Sequence, residues 1–216
     1  MQDGTINYLQ LPAITDGLHF LSAYLPFLPV RLSSLLLYLI SCLSQLRHDT
    51  TGKPVVKILS KIPSKRIRSV GEQSDAGFLV CLLFFGVRFQ NSRIPNCILN
   101  SVQPTGDMIP NSFIEYAAST RNISLRTGCM CNPGASAALL GIEEQMQQLF
   151  PGVTLKDISA MLGRELGVVR ISLGLASNFK DIWRVIQFAS SMGHEQSRQQ
   201  LWAQWIETGS TLHSTN

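Results

Sequence analysis

Two cysteines one residue apart stand in the segment Leu125-Arg126-Thr127-Gly128-Cys129-Met130-Cys131-Asn132-Pro133-Gly134. Gly128 and the Pro133-Gly134 turn make it a loop with access to unusual dihedrals and close backbone approach. Cysteines in such a loop are poor core residues. Arg126, five residues before Cys131, can lower the pKa of that sulfur and hold it as thiolate. A thiolate is the nucleophile needed to accept sulfur or attack carbon. Other chemistries fit a C-x-C pair, namely half of a metal site, a redox pair, or ordinary loop cysteines. Structural zinc takes four ligands, and His19, His48, His194 and His213 are scattered along the chain, so no metal site is expected. Further on, Arg170 offers a second guanidinium in Gly167-Val-Val-Arg-Ile-Ser-Leu-Gly174. It can pair bidentately with a carboxylate, a geometry lysine does not reproduce. The alternative is a surface arginine at a strand edge.

The elements that must position these residues mix helix and strand. The sequence predicts helices over 8–24 and 32–46, the second an apolar stretch (LSSLLLYLISCLSQL) too short for the roughly 20 residues of a spanning helix. Pro26 and Pro29 break the chain before it, so it reads as a core helix, and no membrane association is expected. A strand over 54–59 follows the turn residues Thr51, Gly52 and Lys53. Lys57, Lys61, Lys65, Arg66 and Arg68 then read as a solvated basic loop. The continuous apolar run 77–85 (GFLVCLLFF) reads as a buried central strand.

Residues 86–103 follow neither period and read as an irregular insertion before the turn at Pro104-Thr105-Gly106. Beyond it a helix is expected over 112–119, capped by Asn111 or Ser112, and a short strand over 123–125 leads into the cysteine loop. Helices over 136–149 and 154–162, a strand over 168–173, helices over 178–192 and 195–207, and a frayed tail from 208 complete the pattern. The fold class is α/β or α+β.

Composition narrows the function classes. Of 216 residues 45% are hydrophobic and only 15% charged, which suggests surface meant to be covered by a partner. The net charge of +4 is too weak for a nucleic-acid binder, which concentrates base on one face. Five cysteines form an odd set without regular spacing, and residues 1–16 do not resemble a signal peptide. A cytoplasmic location with reduced thiols follows as the expectation.

The loop 126–134 resembles the active-cysteine loop of molybdenum cofactor sulfurases, which belong with the cysteine desulfurases in the class V aminotransferase group of pyridoxal-phosphate enzymes. Three further stretches match in order. Asp3-Gly4-Thr5 resembles the family segment whose threonine reaches the cofactor phosphate of the neighbouring subunit, Gly167–Gly174 the late strand whose arginine holds the substrate carboxylate, and Asn178-Phe-Lys-Asp181 the start of the last family helix. The resemblance covers roughly residues 2–192 apart from 86–103.

It implies the C-terminal part of a fold type I transferase, α/β with an α+β small domain. Residues 1–50 would end the large cofactor domain, 51–192 form the small domain, and 193–216 a C-terminal helix and tail. By the same resemblance Cys131 is the sulfur acceptor, ahead of Cys129. Arg170 and Arg126 bind substrate, and Thr5 and Gly4 contact pyridoxal phosphate. The implied reaction moves sulfur from L-cysteine through a persulfide to molybdenum cofactor, in a homodimer or paired with a homologue.

The six lysines (Lys53, Lys57, Lys61, Lys65, Lys156, Lys180) all lie after the Gly-Thr segment, whereas the family's Schiff-base lysine precedes it. Without that lysine there is no electron sink for splitting the C–S bond of cysteine. The expectation is an N-terminally truncated fragment that does not desulfurate cysteine alone. Two other readings remain: a non-catalytic persulfide carrier or dimerisation partner, and a C-x-C metal or redox module.

Overall fold

The computed structural model describes residues 11–86, 107–128, 133–147, 152–162 and 165–213. The sheet is built on one strand. The run Leu79–Gly86 (β2) pairs antiparallel with Val56–Ile58 (β1) on one edge. Along its other edge run Asp107–Met108 (β3) and Val169–Ser172 (β4), both antiparallel to it. The described residues thus form an α+β architecture, one of the two classes the sequence left open. A continuous apolar run reports that both faces of a strand are covered, but not the direction of its neighbours.

Both faces are indeed covered. Val80, Leu82 and Phe84 point into a first core with Val169 and Ile171. Cys81, Leu83 and Phe85 point into a second core with Val168. The first core is roofed by helices α2 (Leu28–Gln45), α3 (Asn111–Ser119), α7 (Phe179–Gly193) and α8 (Glu195–His213). The second is roofed by α4 (Pro133–Leu140), α5 (Glu143–Gln147) and α6 (Leu155–Leu162), which contribute Ala137, Leu140, Met146 and Leu162.

Helix α2 explains the apolar stretch. Leu32, Leu35, Leu36, Leu39, Ile40 and Leu43 recur every three or four residues and are buried, as one face of a helix requires. By length and composition α2 can cross a membrane, yet this stripe packs on the sheet. The reading of 32–46 as a core helix is thus borne out. The exposed apolar residues sit one element earlier, in α1 (Leu11–Tyr24), where Leu11, Ile14, Leu18, Phe20 and Tyr24 face solvent and no residue is buried.

Other boundaries moved for local reasons. The expected strand 123–125 is not a strand; only Arg126 makes a bridge. The expected helix 136–149 divides at Gly141, whose φ of +65° lies in the left-handed region. Helix α3 starts without a side-chain cap from Asn111 or Ser112, because its N-cap is Pro110. Helix α8 runs on to His213, well past the expected fraying at 208. Helix α7 begins at a capping box in which Asn178 and Asp181 satisfy each other's backbone N–H groups. The expected insertion 86–103, the turn at 104–106 and the segment 3–5 lie outside the described residues, apart from Gly86, the last residue of β2.

A buried polar pair fastens α8 to the sheet. Arg198 is fully buried; its Nη1 donates to Met192 O at 2.7 Å and to His48 Nδ1 at 3.2 Å. Since arginine only donates, Nδ1 is the acceptor, and the ring proton sits on Nε2, donated to Phe85 O at 2.8 Å. Burial, with help from the Arg198 charge, holds the His48 pKa below its ordinary value, against the opposing pull of Phe85 O and Glu195. The unfolded chain therefore takes up a proton near pH 6.5 that the folded one refuses, so stability falls as pH drops below about 6.5. The depressed carboxylates Asp49, Glu72 and Asp75 lose their contribution only in more acid solution. Urea midpoints between pH 7.5 and 5 are expected to decline for the wild-type chain and to flatten for His48→Gln. An equal decline in both would contradict the assignment.

Candidate functional site

Arg126 and Arg170 face each other across the edge of the sheet. Arg170 N–H donates to Arg126 O at 2.7 Å and Arg126 N–H to Arg170 O at 3.3 Å. Residues that exchange both backbone bonds are directly opposite, and their side chains leave the same face. On β2 the register partner of Arg170 is Cys81, so Cys81, Arg170 and Arg126 form one cross-strand row on the face of the second core. Burial pushes the Cys81 thiol pKa up, and the Arg170 charge opposes this. The row thus holds a neutral thiol and two cations.

Two like charges directly opposite destabilise a sheet. Here the cost has a further part. Arg126 is exposed and Arg170 half-buried, and the Arg170 Nε is buried with no hydrogen-bond partner among the described residues. A buried donor left unpaired costs about 1–3 kcal/mol. A carboxylate between the two guanidinium groups removes both penalties, since it neutralises the pair and accepts from a planar fork.

Just beyond Arg126 the backbone is locked. Val168 N–H donates to Gly128 O at 3.2 Å. Gly128 has φ +95° and the buried Gly167 φ +108°. A Cβ on Gly167 would stand 2.2 Å from Gly128 C and 2.4 Å from its carbonyl oxygen. The approach requires glycine at 167, while the left-handed φ favours glycine at both positions. From Gly128 the chain enters the cysteine segment, and it returns in α4 at Pro133.

Of the residues expected from sequence, Arg126 and Arg170 are brought together. Cys129, Cys131, Gly4 and Thr5 lie outside the described residues. The lysines whose side chains are described (Lys53, Lys57, Lys61, Lys65 and Lys180) are all exposed. None offers the enclosed amine that a Schiff base to pyridoxal phosphate needs, so these residues do not fit that cofactor and no step is routed through it. Sequence reasoning missed the Gly128–Gly167 lock, Cys81 as the neighbour of Arg170, and Glu115, which accepts from the Thr127 hydroxyl. A glycine directly before the strand 168–173 was a visible hint of the lock. Nothing in the sequence pointed to Glu115.

Comparison with known proteins finds homologues of one name. The chain is 31% identical over 193 residues to the molybdenum cofactor sulfurase of Bos taurus, covering 87% of this chain and 19% of that protein. It is 28% identical over 193 residues to the molybdenum cofactor sulfurase of Solanum lycopersicum, covering 88% of this chain and 20% of the relative. The Arabidopsis thaliana protein of the same name is 28% identical over 197 residues. The chain is a homologue of molybdenum cofactor sulfurases. It spans about a fifth of the length of these curated relatives. No family model matches the chain, and no solved structure matches it. The homology extends over most of the chain, so the arginine pair and the glycine lock lie on a segment shared in kind with molybdenum cofactor sulfurases.

Proposed function

We propose that this chain is a sulfur-accepting segment of the molybdenum cofactor sulfurase type, with Cys131 as the carrier and Arg170 and Arg126 as the binding site for the donor's carboxylate. The observation that carries the reading is the opposed arginine pair with an orphaned, buried Nε. A sheet edge built that way has a use for an anion, and an amino-acid donor such as L-cysteine or its persulfide brings one. In the loading step the Cys131 thiolate attacks the terminal sulfur of a donor persulfide. The new S–S bond forms as the donor's S–S bond breaks, and the donor leaves as a thiolate that takes a proton from water. Cysteine itself needs C–S cleavage, for which pyridoxal phosphate is the family's electron sink. Because the described lysines are exposed, that chemistry falls to chain outside the described residues or to a separate desulfurase. The final acceptor in this reading is molybdenum cofactor, and the setting is cytoplasmic, in a homodimer or paired with a longer homologue.

Cys131→Ala is expected to abolish sulfur transfer in a mixture of this chain, a desulfurase and cysteine, and Cys129→Ala to retain most of it. Transfer that survives Cys131→Ala would refute the assignment of the carrier. Stoichiometric zinc in the purified chain would favour the C-x-C metal reading instead.

A further inference from the structure

On the side away from the glycine lock, the segments that meet at Arg126 and Arg170 part instead of continuing as a ladder. Every second residue of an antiparallel pair exchanges backbone bonds, so Ser124 and Ser172 stand next in line, yet no bridge joins them. Each segment is held elsewhere. Ile123 N–H donates to Ala118 O at 3.0 Å, which draws its segment to the end of α3, and Leu173 N–H donates to Phe78 O at 2.9 Å, just before β2. The fork between them is closed by α7 and encloses a cavity of about 180 Å³.

The floor of the cavity is apolar: Leu125, Ile171, Ile182 and Val185 line it and pack in the first core. The arginine pair lies on the face of the second core, so the two places are distinct. The rim is polar. Asp181 and Arg184, three apart on α7, share a helix face and both line the cavity, yet they do not pair with each other. Backbone groups hold each of them instead. Asp181 Oδ2 accepts from Asn178 N–H at 3.0 Å in the capping box, which leaves Oδ1 without a partner among the described residues. Arg184 Nη2 donates to Arg121 O at 3.0 Å and to Asn122 O at 3.3 Å, which leaves Nη1 and Nε without one. The hydroxyls of Ser124 and Ser172, also on the rim, have no partner among the described residues either.

We infer that the fork is a binding site for a free aliphatic α-amino acid, separate from the donor site on the arginine pair. The ligand's carboxylate takes the remaining donors of Arg184 and a serine hydroxyl, its ammonium donates to Asp181 Oδ1, and its side chain covers the apolar floor. A negative and a positive group held apart on one rim, above a greasy floor, complement a small zwitterion with an aliphatic body. Both charged side chains are already fixed by backbone contacts, so binding costs little further ordering. Sites for drug-sized ligands enclose about 300–1,000 Å³, so this smaller cavity suits a single amino acid.

The test is calorimetric titration of the full chain with L-leucine, for which saturable 1:1 binding is expected. 4-Methylpentanoate lacks the ammonium and 3-methylbutylamine the carboxylate. Each is expected to bind about 10–150-fold more weakly, the effect of one lost charge-assisted hydrogen bond. Glycine leaves the floor uncovered and should lose a similar factor. Arg184→Gln and Asp181→Asn should weaken L-leucine by about the same 10–150-fold, whereas Arg170→Ala should leave its affinity unchanged. Arg184 is exposed and Asp181 half-buried, and the second substitution keeps an oxygen for the helix cap, so both variants are expected to fold. Absence of saturable L-leucine binding to the wild-type chain would overturn the inference. So would binding that survives Arg184→Gln, or equal affinities for L-leucine and 4-methylpentanoate. Binding lost in Arg170→Ala would also overturn it, because the ligand would then sit on the arginine pair.

Discussion

Gly167→Ala is expected to lower the melting temperature by about 4–24 °C and to break the contact between Gly128 and the strand. Two costs add. A non-glycine residue at φ +108° is strained by about 1–3 kcal/mol. A methyl group 2.2 Å from the Gly128 carbonyl carbon cannot be accommodated without moving backbone, which adds about 1–3 kcal/mol in a packed site. For a chain of this size each kcal/mol lowers the melting temperature by about 2–4 °C. The bond from Val168 N–H to Gly128 O is the first to be lost. Gly174→Ala is the control: that glycine has ordinary φ and nothing within 4 Å of a new Cβ, so its effect should stay within about 0.5 kcal/mol. Equal melting temperatures for the two variants would show that the glycine contact does not hold the loop.

Arg170→Ala is expected to weaken donor recognition by about 30–4,000-fold without destabilising the fold. Removing one partner of a desolvated charge pair costs about 2–5 kcal/mol of binding. In the unliganded chain the same substitution removes a cation from beside Arg126 and a buried Nε that lacks a partner, so the melting temperature should hold or rise. Arg170→Lys retains charge and loses the fork, and should fall between. The selective readout compares loading from cysteine persulfide with loading from cysteamine persulfide, which has no carboxylate. The wild-type chain should prefer the first, and Arg170→Ala should treat the two alike. A preference that survives in Arg170→Ala would place carboxylate recognition elsewhere.

Much of the scaffold was legible because apolar periodicity reports burial. The stripe of α2 and the doubly buried β2 are read directly from Leu32–Leu43 and Leu79–Gly86. Strand direction was not legible, since a segment such as 79–86 has the same composition beside parallel or antiparallel neighbours. Half of the arginine pair was legible: each guanidinium stood out by its surroundings in the sequence. Their direct opposition depends on a register between segments 44 residues apart, which local pattern does not encode. Glu115 was invisible for a related reason. It is an exposed carboxylate like any other until α3 is placed beside Thr127.

The most direct measurement is peptide mass spectrometry of the chain after incubation with a desulfurase and L-cysteine. The peptide containing Cys131 should gain the mass of one sulfur atom, lose it on treatment with dithiothreitol, and fail to gain it in Arg126→Ala/Arg170→Ala. Added sulfur on Cys81 or Cys42 with Cys131 unmodified, or loading of Cys131 that ignores both arginines, would contradict a sulfur carrier served by the paired guanidinium groups.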